Sequence, residues 1–320
     1  MTSLREMSVL ITGAAGFIGS ALGNRLVAEG VRVQGLDSYF HACNAPRSFS
    51  VENGDVRFSD LILMRAKNVD TIVHLAAAIN VDFSHVMPEA AFDINLDGTI
   101  NILEAARKLD KNVVFASSSE IYGTHQDTLL SDFSENTGMD ERHPLDGQSP
   151  YAASKIAADR ACFAWSKTYG MRVNCVRLFN VYGPWQADDG YGGVIAKFTR
   201  LALQGKAMPI YGEGDQRRDY LWIDDAVEAY VLAIRSTFRG PVNFGTGTTC
   251  SINEIAHKIG ENISPNMWKR EKEMARAGEE DLLRCDWSKA KSMGWKPTVA
   301  FDEGLQRYVD WARSLAHLSD

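Results

Sequence analysis

Tyr151 and Lys155 stand four residues apart behind Ser149-Pro150, a spacing that sets a phenol and an ammonium on one face of a helix. Serine suits the N-cap and proline the first helical position, so the tyrosine falls in the first turn, where the helix dipole favours an anion. Tyrosine ordinarily ionises near pH ~10. A lysine charge held close lowers that value, so the phenol could act as a base at neutral pH. The same spacing also recurs by chance as a plain surface pair, and the elements around it must decide.

Those elements alternate. Ser8–Thr12 reads as a buried strand, followed by glycines at 13, 16 and 19 and a helical pattern through Ala28 that ends at Gly30. Residues 31–36 form a second strand ending in Asp37, and 69–75, 113–116 and Val173–Leu178 continue the series, with a helix over Gly98–Leu109. Alternation predicts an α/β fold, a Rossmann-type doubly wound parallel sheet. After Gly183-Pro184 a glycine-rich loop spans 188–193, and helices are expected over 194–204, 224–235, 252–260 and 302–312, with a strand at 242–244. The division that follows is a dinucleotide-binding domain of residues 1–178 and 219–247, interleaved with a smaller C-terminal substrate-binding lobe of 179–218 and 248–320.

Gly13, Gly16 and Gly19 lie between a strand and a helix, where backbone amides and the helix N-terminus can approach a pyrophosphate. Asp37 closes the next strand, near the offset of about 20 residues expected for an acid on the adenosine ribose hydroxyls. An acid there repels a 2′-phosphate and selects NAD over NADP. Its plain alternative is a strand-end turn residue.

The composition, 45% apolar and 23% charged over 320 residues, is that of a globular chain. A net charge of −7 and the lack of a basic stripe argue against nucleic-acid and membrane-surface binding. Five scattered cysteines, with no C-x-x-C, suggest neither a disulfide framework nor a zinc or other metal site, and fit a reducing cytoplasm. No apolar N-terminal core marks a signal peptide, and no run approaches the ~20 apolar residues of a membrane span.

With these parts assembled, the chain resembles the extended short-chain dehydrogenase/reductases, specifically the NAD-dependent nucleotide-sugar epimerase/dehydratase family. Besides the glycines and the Tyr151/Lys155 pair, the resemblance runs through Gly54-Asp55-Val56-Arg57, His74-Leu75-Ala76-Ala77, Asn95-Leu96-Asp97-Gly98-Thr99, Ser117-Ser118-Ser119-Glu120-Ile121-Tyr122-Gly123, Phe179-Asn180-Val181-Tyr182-Gly183-Pro184 and Gln216-Arg217-Arg218-Asp219-Tyr220. It implies that NAD lies on Gly13, Gly16, Phe17, Ile18, Gly19 and Asp37, with Asp55 and Val56 at the adenine. Leu75, Ala76, Ala77 and Ser117 would line the cofactor, Asn95 would brace the loop near Lys155, and Tyr151 and Lys155 would reach the nicotinamide end. Ser118 takes the catalytic serine position. Ser118, Ser119, Asn180, Val194, Phe198, Arg218 and Arg276 would surround a nucleotide-diphosphate sugar. Read singly, Val194 and Phe198 are more often core, and Arg218 a solvated charge. The family also implies a homodimer formed through the helices over Gly98–Leu109 and 151–169.

The resemblance further implies that Tyr151, as tyrosinate, takes a sugar hydroxyl proton while the carbon beneath is oxidised, Ser118 hydrogen-bonding the oxygen whose charge changes. Three outcomes remain open. The segments over 192–194 and 209–212 resemble a C4 epimerase. Glu120 recurs in 4,6-dehydratases and uronate decarboxylases, and in the dehydratases it is the base beside the ketone, although it could equally be a solvated carboxylate. Ser119 stands where one dehydratase branch has an acidic aspartate. A non-catalytic NAD-binding scaffold is the reading from another class. Trp185, where many epimerases carry arginine, could stack on a sugar or pack the loop, and the long segment 124–148 could cover the substrate or be plain loop.

Overall fold

The run Ser8–Thr12 (β1), with Val9, Leu10 and Ile11 at its centre, is buried along its whole length, as a strand covered on both faces must be. The computed structural model describes residues 6–123, 138–188, 193–266, 268–274 and 280–316. From β1 the chain turns into α1 (Phe17–Ala28), β2 (Arg32–Asp37), β3 (Val51–Asn53), α2 (Ser59–Ala66) and β4 (Thr71–His74). Two short helices, α3 (Val81–Val86) and α4 (Pro88–Phe92), lead through a π-helical turn at Asp93–Asp97 into α5 (Gly98–Leu109) and β5 (Asn112–Ser118). A 3-10 turn over Ser119–Tyr122 precedes α6 (Pro150–Tyr169) and β6 (Val173–Leu178).

The second half holds β7 (Asn180–Tyr182), α7 (Val194–Leu203), β8 (Met208–Tyr211), β9 (Arg217–Trp222), α8 (Ile223–Arg235), β10 (Gly240–Phe244), β11 (Thr249–Ser251) and α9 (Ile252–Ile263). β12 (Arg270–Glu273), β13 (Leu282–Leu283), α10 (Ser288–Ser292) and α11 (Phe301–Ala316) complete the described chain.

Seven strands make the main sheet in the order β10-β6-β5-β4-β1-β2-β3, every pair parallel. This is the doubly wound α/β sheet expected from the alternation. Its order reverses at β1/β4, the crevice where such sheets bind ligands beyond their carboxyl ends. One apolar cluster lies against the face carrying α1 and α8 and continues into the second lobe; another fills the face carrying α2, α5 and α6.

The smaller lobe is built on β9, which pairs with β11, β13 and β7, while β8 pairs with β12. β9 is one continuous strand, so the 218/219 division drawn from sequence falls inside it. Its Asp219 explains why the strand reads poorly in sequence: the buried carboxylate accepts hydrogen bonds from Thr246 N and Oγ1, Gly247 N and Cys285 N, partners that exist only in the tertiary fold. Among the described residues no helix is long and apolar enough to cross a membrane.

Candidate active site

The glycine turn is as tight as a backbone allows. Gly13 has φ +73, and a Cβ on it would lie 2.7 Å from the Ala76 nitrogen; one on Gly19 would lie 2.2 Å from the Gly13 oxygen. The first turn of α1 starts at Gly16 with no side-chain cap, which leaves its amide donors for an external anion, while Phe17 and Ile18 turn into the core. Asp37 Oδ2 accepts from Ala15 N at 2.8 Å and Oδ1 from Tyr39 N at 2.7 Å, so this acid already braces the turn it would share with a ribose.

Asp55 is held by Arg57, and Val56 is buried beneath Gly98. Leu75, Ala76 and Ala77 form the loop after β4. Asn95 accepts from Ala78 N at 2.7 Å and donates to Ser154 Oγ at 2.9 Å, tying that loop to α6 one residue before Lys155. The glycine cradle, the uncapped helix start and the acid at the β2 end fit a dinucleotide. Ser117, expected to line the cofactor, has a buried hydroxyl that donates to Asp159 at 2.7 Å.

β5 delivers Ser118 to the edge of that cradle. Its Oγ accepts from Glu120 N at 3.2 Å, capping the 3-10 turn, and lies near enough to the Tyr151 phenol to favour its ionised form. Ser149 caps α6 by accepting from Ala152 N at 3.1 Å with Pro150 in the first turn, as the spacing predicts, and the Tyr151 amide donates to Ser84 Oγ at 3.0 Å. Tyr151 and Lys155 are both buried.

Without cofactor, the expected pKa shift is reversed. Burial pushes Tyr151 up to about 12, the nearby Ser118 hydroxyl works against this, and the Glu120 charge adds to it. Lys155 does not offset the burial because its Nζ donates to the Ala116 carbonyl at 2.6 Å and lies 4.3 Å from the Phe115 ring centroid. Burial brings that ammonium down to about 8.

In the smaller lobe Asn180 opens β7 with its Oδ1 buried and unpartnered. Arg218 on β9 is buried, with Nη1 donating to the Arg217 carbonyl and Nη2 3.9 Å from Glu280. Phe198 is 2% exposed inside the main apolar cluster, and the partly buried Val194 packs on the same cluster. Ser119 is likewise buried within its turn. Arg276 lies outside the described residues. Trp185 packs its ring on Trp311 of α11, centroids 5.4 Å apart, with φ +70. Of the segment 124–148, residues 124–137 lie outside the described residues. The remainder is tied to the body, where Met139 bridges to Cys285 and Glu141 accepts from Asn243 N.

Sequence reasoning missed two features. Asp159, one helical turn beyond Lys155, pairs with Arg177 at 2.7 Å, and Arg177 donates to the Tyr122 hydroxyl at 2.8 Å, a buried brace under the turn that carries Ser118 and Glu120. The i,i+4 step from Lys155 was the available signal. The other is Glu280, hidden in the acidic run Glu279-Glu280-Asp281, which reads as a solvated patch.

A doubly wound sheet, a glycine cradle and a Ser118/Tyr151/Lys155 set define an extended short-chain dehydrogenase/reductase. The family model described as GDP-mannose 4,6 dehydratase matches residues 10–308, and the chain belongs to that family. It is 35% identical over 315 residues to a putative UDP-glucose 4-epimerase of Methanocaldococcus jannaschii, covering 96% of this chain and 98% of the relative. It is 31% identical to a UDP-N-acetyl-alpha-D-glucosaminuronate decarboxylase of Bacillus cytotoxicus over 96% and 98% of the two chains. Its fold superposes on the crystal structure of Thermus thermophilus UDP-glucose 4-epimerase in complex with NAD with a TM-score of 0.88, at 31% identity over 96% and 99% of the chains.

Proposed function

We propose that the protein inverts the C4 hydroxyl of a nucleotide-diphosphate sugar through a transient 4-keto intermediate. It is an NAD-dependent enzyme of nucleotide-sugar modification, and bound NAD supplies reversible oxidation of the sugar carbon. The observation that carries the C4 reading is the placement of Ser118, at the end of β5, close to the Tyr151 phenol in the first turn of α6, one turn before the buried Lys155. Tyr151 takes the C4 hydroxyl proton, Ser118 holds the same oxygen as its charge changes, and Lys155 orients the nicotinamide ribose. A cation entering next to Tyr151 offsets the burial that holds the phenol near 12. Arg218, with Arg276, neutralises the diphosphate, and Asn180 supplies a neutral contact beside it.

NAD lies on residues 1–178 and 219–247, and residues 179–218 and 248–320 hold the nucleotide sugar, the two meeting within β9. A homodimer forms through α5 and α6, where Phe163 and Tyr169 are exposed; monomeric light scattering would exclude it. The cytoplasm is the expected compartment. Incubation with NAD and a panel of nucleotide hexoses tests the function: a C4 epimer of unchanged mass is expected, and its absence from every reaction refutes C4 inversion. A second reading, a lyase that loses water or carbon dioxide, is favoured by one observation, the placement of Glu120 near enough to Tyr151 for its charge to act on the phenol.

A further inference from the structure

Tyr151 is held by its backbone as well as by its buried ring. Its amide belongs to the first turn of α6, where no carbonyl of the helix can accept it, and the Ser149 hydroxyl serves Ala152 instead. The acceptor comes from a distant part of the chain. Ser84, fully buried in α3, takes the Tyr151 amide hydrogen at 3.0 Å and donates its own to the Val81 carbonyl at 2.7 Å, which leaves its lone pairs for Tyr151. The Tyr151 carbonyl is fixed in turn: it accepts from Ser154 Oγ at 2.7 Å, and Ser154 accepts from Asn95 Nδ2 at 2.9 Å. Asn95 grips both backbone groups of Ala78, its Nδ2 donating at 3.1 Å and its Oδ1 accepting at 2.7 Å. Asn80 then starts α3 by accepting from Phe83 N at 2.6 Å. Both ends of the Tyr151 backbone therefore return to one segment, 78–84, which continues the loop packed on Gly13.

We infer that Ser84 is a positioning residue for the oxidation, a helix cap supplied from α3 that fixes Tyr151 in register with the loop lining the cofactor. The inference rests on the C4-oxidation reading and deepens it by naming what sets the base against the cofactor. Oxidation makes a demand on two elements at once, because the sugar oxygen must meet the phenol on α6 while its carbon faces the cofactor beside the loop after β4. A displacement of about 1 Å between those elements costs on the order of 100-fold in rate. α6 and that loop are far apart in sequence, and Ser84 and Asn95 join them by hydrogen bonds to buried backbone groups, which have no water to turn to when a partner is lost. Ser84 brings no charge and does not reach the reacting atoms, so its removal should move the base without changing the chemistry of the phenol.

Ser84→Ala tests this against Ser166→Ala, which removes another buried serine hydroxyl, bonded to the Met171 carbonyl at 2.9 Å, from the far end of α6. Amide hydrogen exchange reads the contact without cofactor or substrate: in Ser84→Ala the Tyr151 amide is expected to exchange at least ~10-fold faster while the Ala152 amide keeps its protection. Rapid mixing of NAD-loaded protein with nucleotide hexoses reads the consequence. Reduced nicotinamide should form roughly 10- to 100-fold more slowly in Ser84→Ala and at the wild-type rate in Ser166→Ala, with NAD affinity unchanged in both. Ser84→Thr keeps the hydroxyl and is expected to recover both the protection and the rate. Wild-type protection or rate in Ser84→Ala, an equal loss in Ser166→Ala, a rate lost in step with NAD affinity, or a Ser84→Thr as slow as Ser84→Ala overturns the inference while leaving C4 oxidation standing. A wild type that reduces no NAD with any nucleotide hexose overturns both.

Discussion

Replacing Lys155 with methionine should stabilise the cofactor-free fold while abolishing turnover. The ammonium is 3% exposed, and burial holds it at about 8 instead of about 10.5. At neutral pH that displacement costs roughly 3 kcal/mol. Methionine fills similar volume without charge but gives up the hydrogen bond to the Ala116 carbonyl, worth on the order of 1–2 kcal/mol net. The balance favours Lys155→Met by about 1–2 kcal/mol at pH 7, a rise in Tm of roughly 2–3 °C for a chain of this size.

The pH dependence separates this from generic repacking. A lysine whose folded pKa lies below its unfolded one loses its proton first in the folded state, so wild-type stability rises as pH climbs from about 8 to about 10.5. The variant lacks that gain, and its advantage should shrink and then reverse across the window. Calorimetric unfolding of both proteins without NAD, at pH 7 and again near 10, reads the difference. A variant less stable at pH 7, or a difference that stays constant with pH, refutes the reasoning.

Three further outcomes follow from the geometry. Gly13→Ala forces a Cβ onto the Ala76 and Leu75 backbone at positive φ, and should cost on the order of 1–3 kcal/mol by urea unfolding together with NAD affinity by calorimetry; wild-type NAD binding in that variant would contradict the cradle. Asp37→Ala removes the acceptor for the Ala15 and Tyr39 amides as well as the expected ribose contact. It should weaken NAD at least ~10-fold and narrow the preference over NADP, and an unchanged NAD:NADP ratio would limit Asp37 to bracing the turn. Asp159→Ala strands the buried Arg177 and should destabilise by about 3–5 kcal/mol; a loss below about 1 kcal/mol would mean water reaches the guanidinium.

What was legible in the sequence followed local physics. β1, β6 and α5 were readable from continuous apolar runs or from a periodic face, and the start of α6 from Ser149 and Pro150, because those signals act over a few residues. β9 was not, since Arg217-Arg218-Asp219 looks solvated until Thr246, Gly247, Cys285 and Glu280 close around it. β12 reads Arg-Glu-Lys-Glu and is exposed throughout, so only pairing to β8 marks it as a strand. At the site, Tyr151 and Lys155 could be found from type and spacing, and Ser118 only through the family resemblance. The pKa direction of Tyr151 could not, because it depends on burial and on the Ala116 carbonyl that engages Lys155. Glu280 comes to Arg218 from a distant part of the chain, and no local pattern records that meeting.

The account stands most directly on Tyr151 as the base for oxidation at sugar C4. NAD-loaded wild type and Tyr151→Phe should bind NAD alike, and a nucleotide hexose added to each should raise the absorbance of reduced nicotinamide in the wild type only. An equal rise in Tyr151→Phe, or no rise in the wild type with any nucleotide hexose, would contradict it.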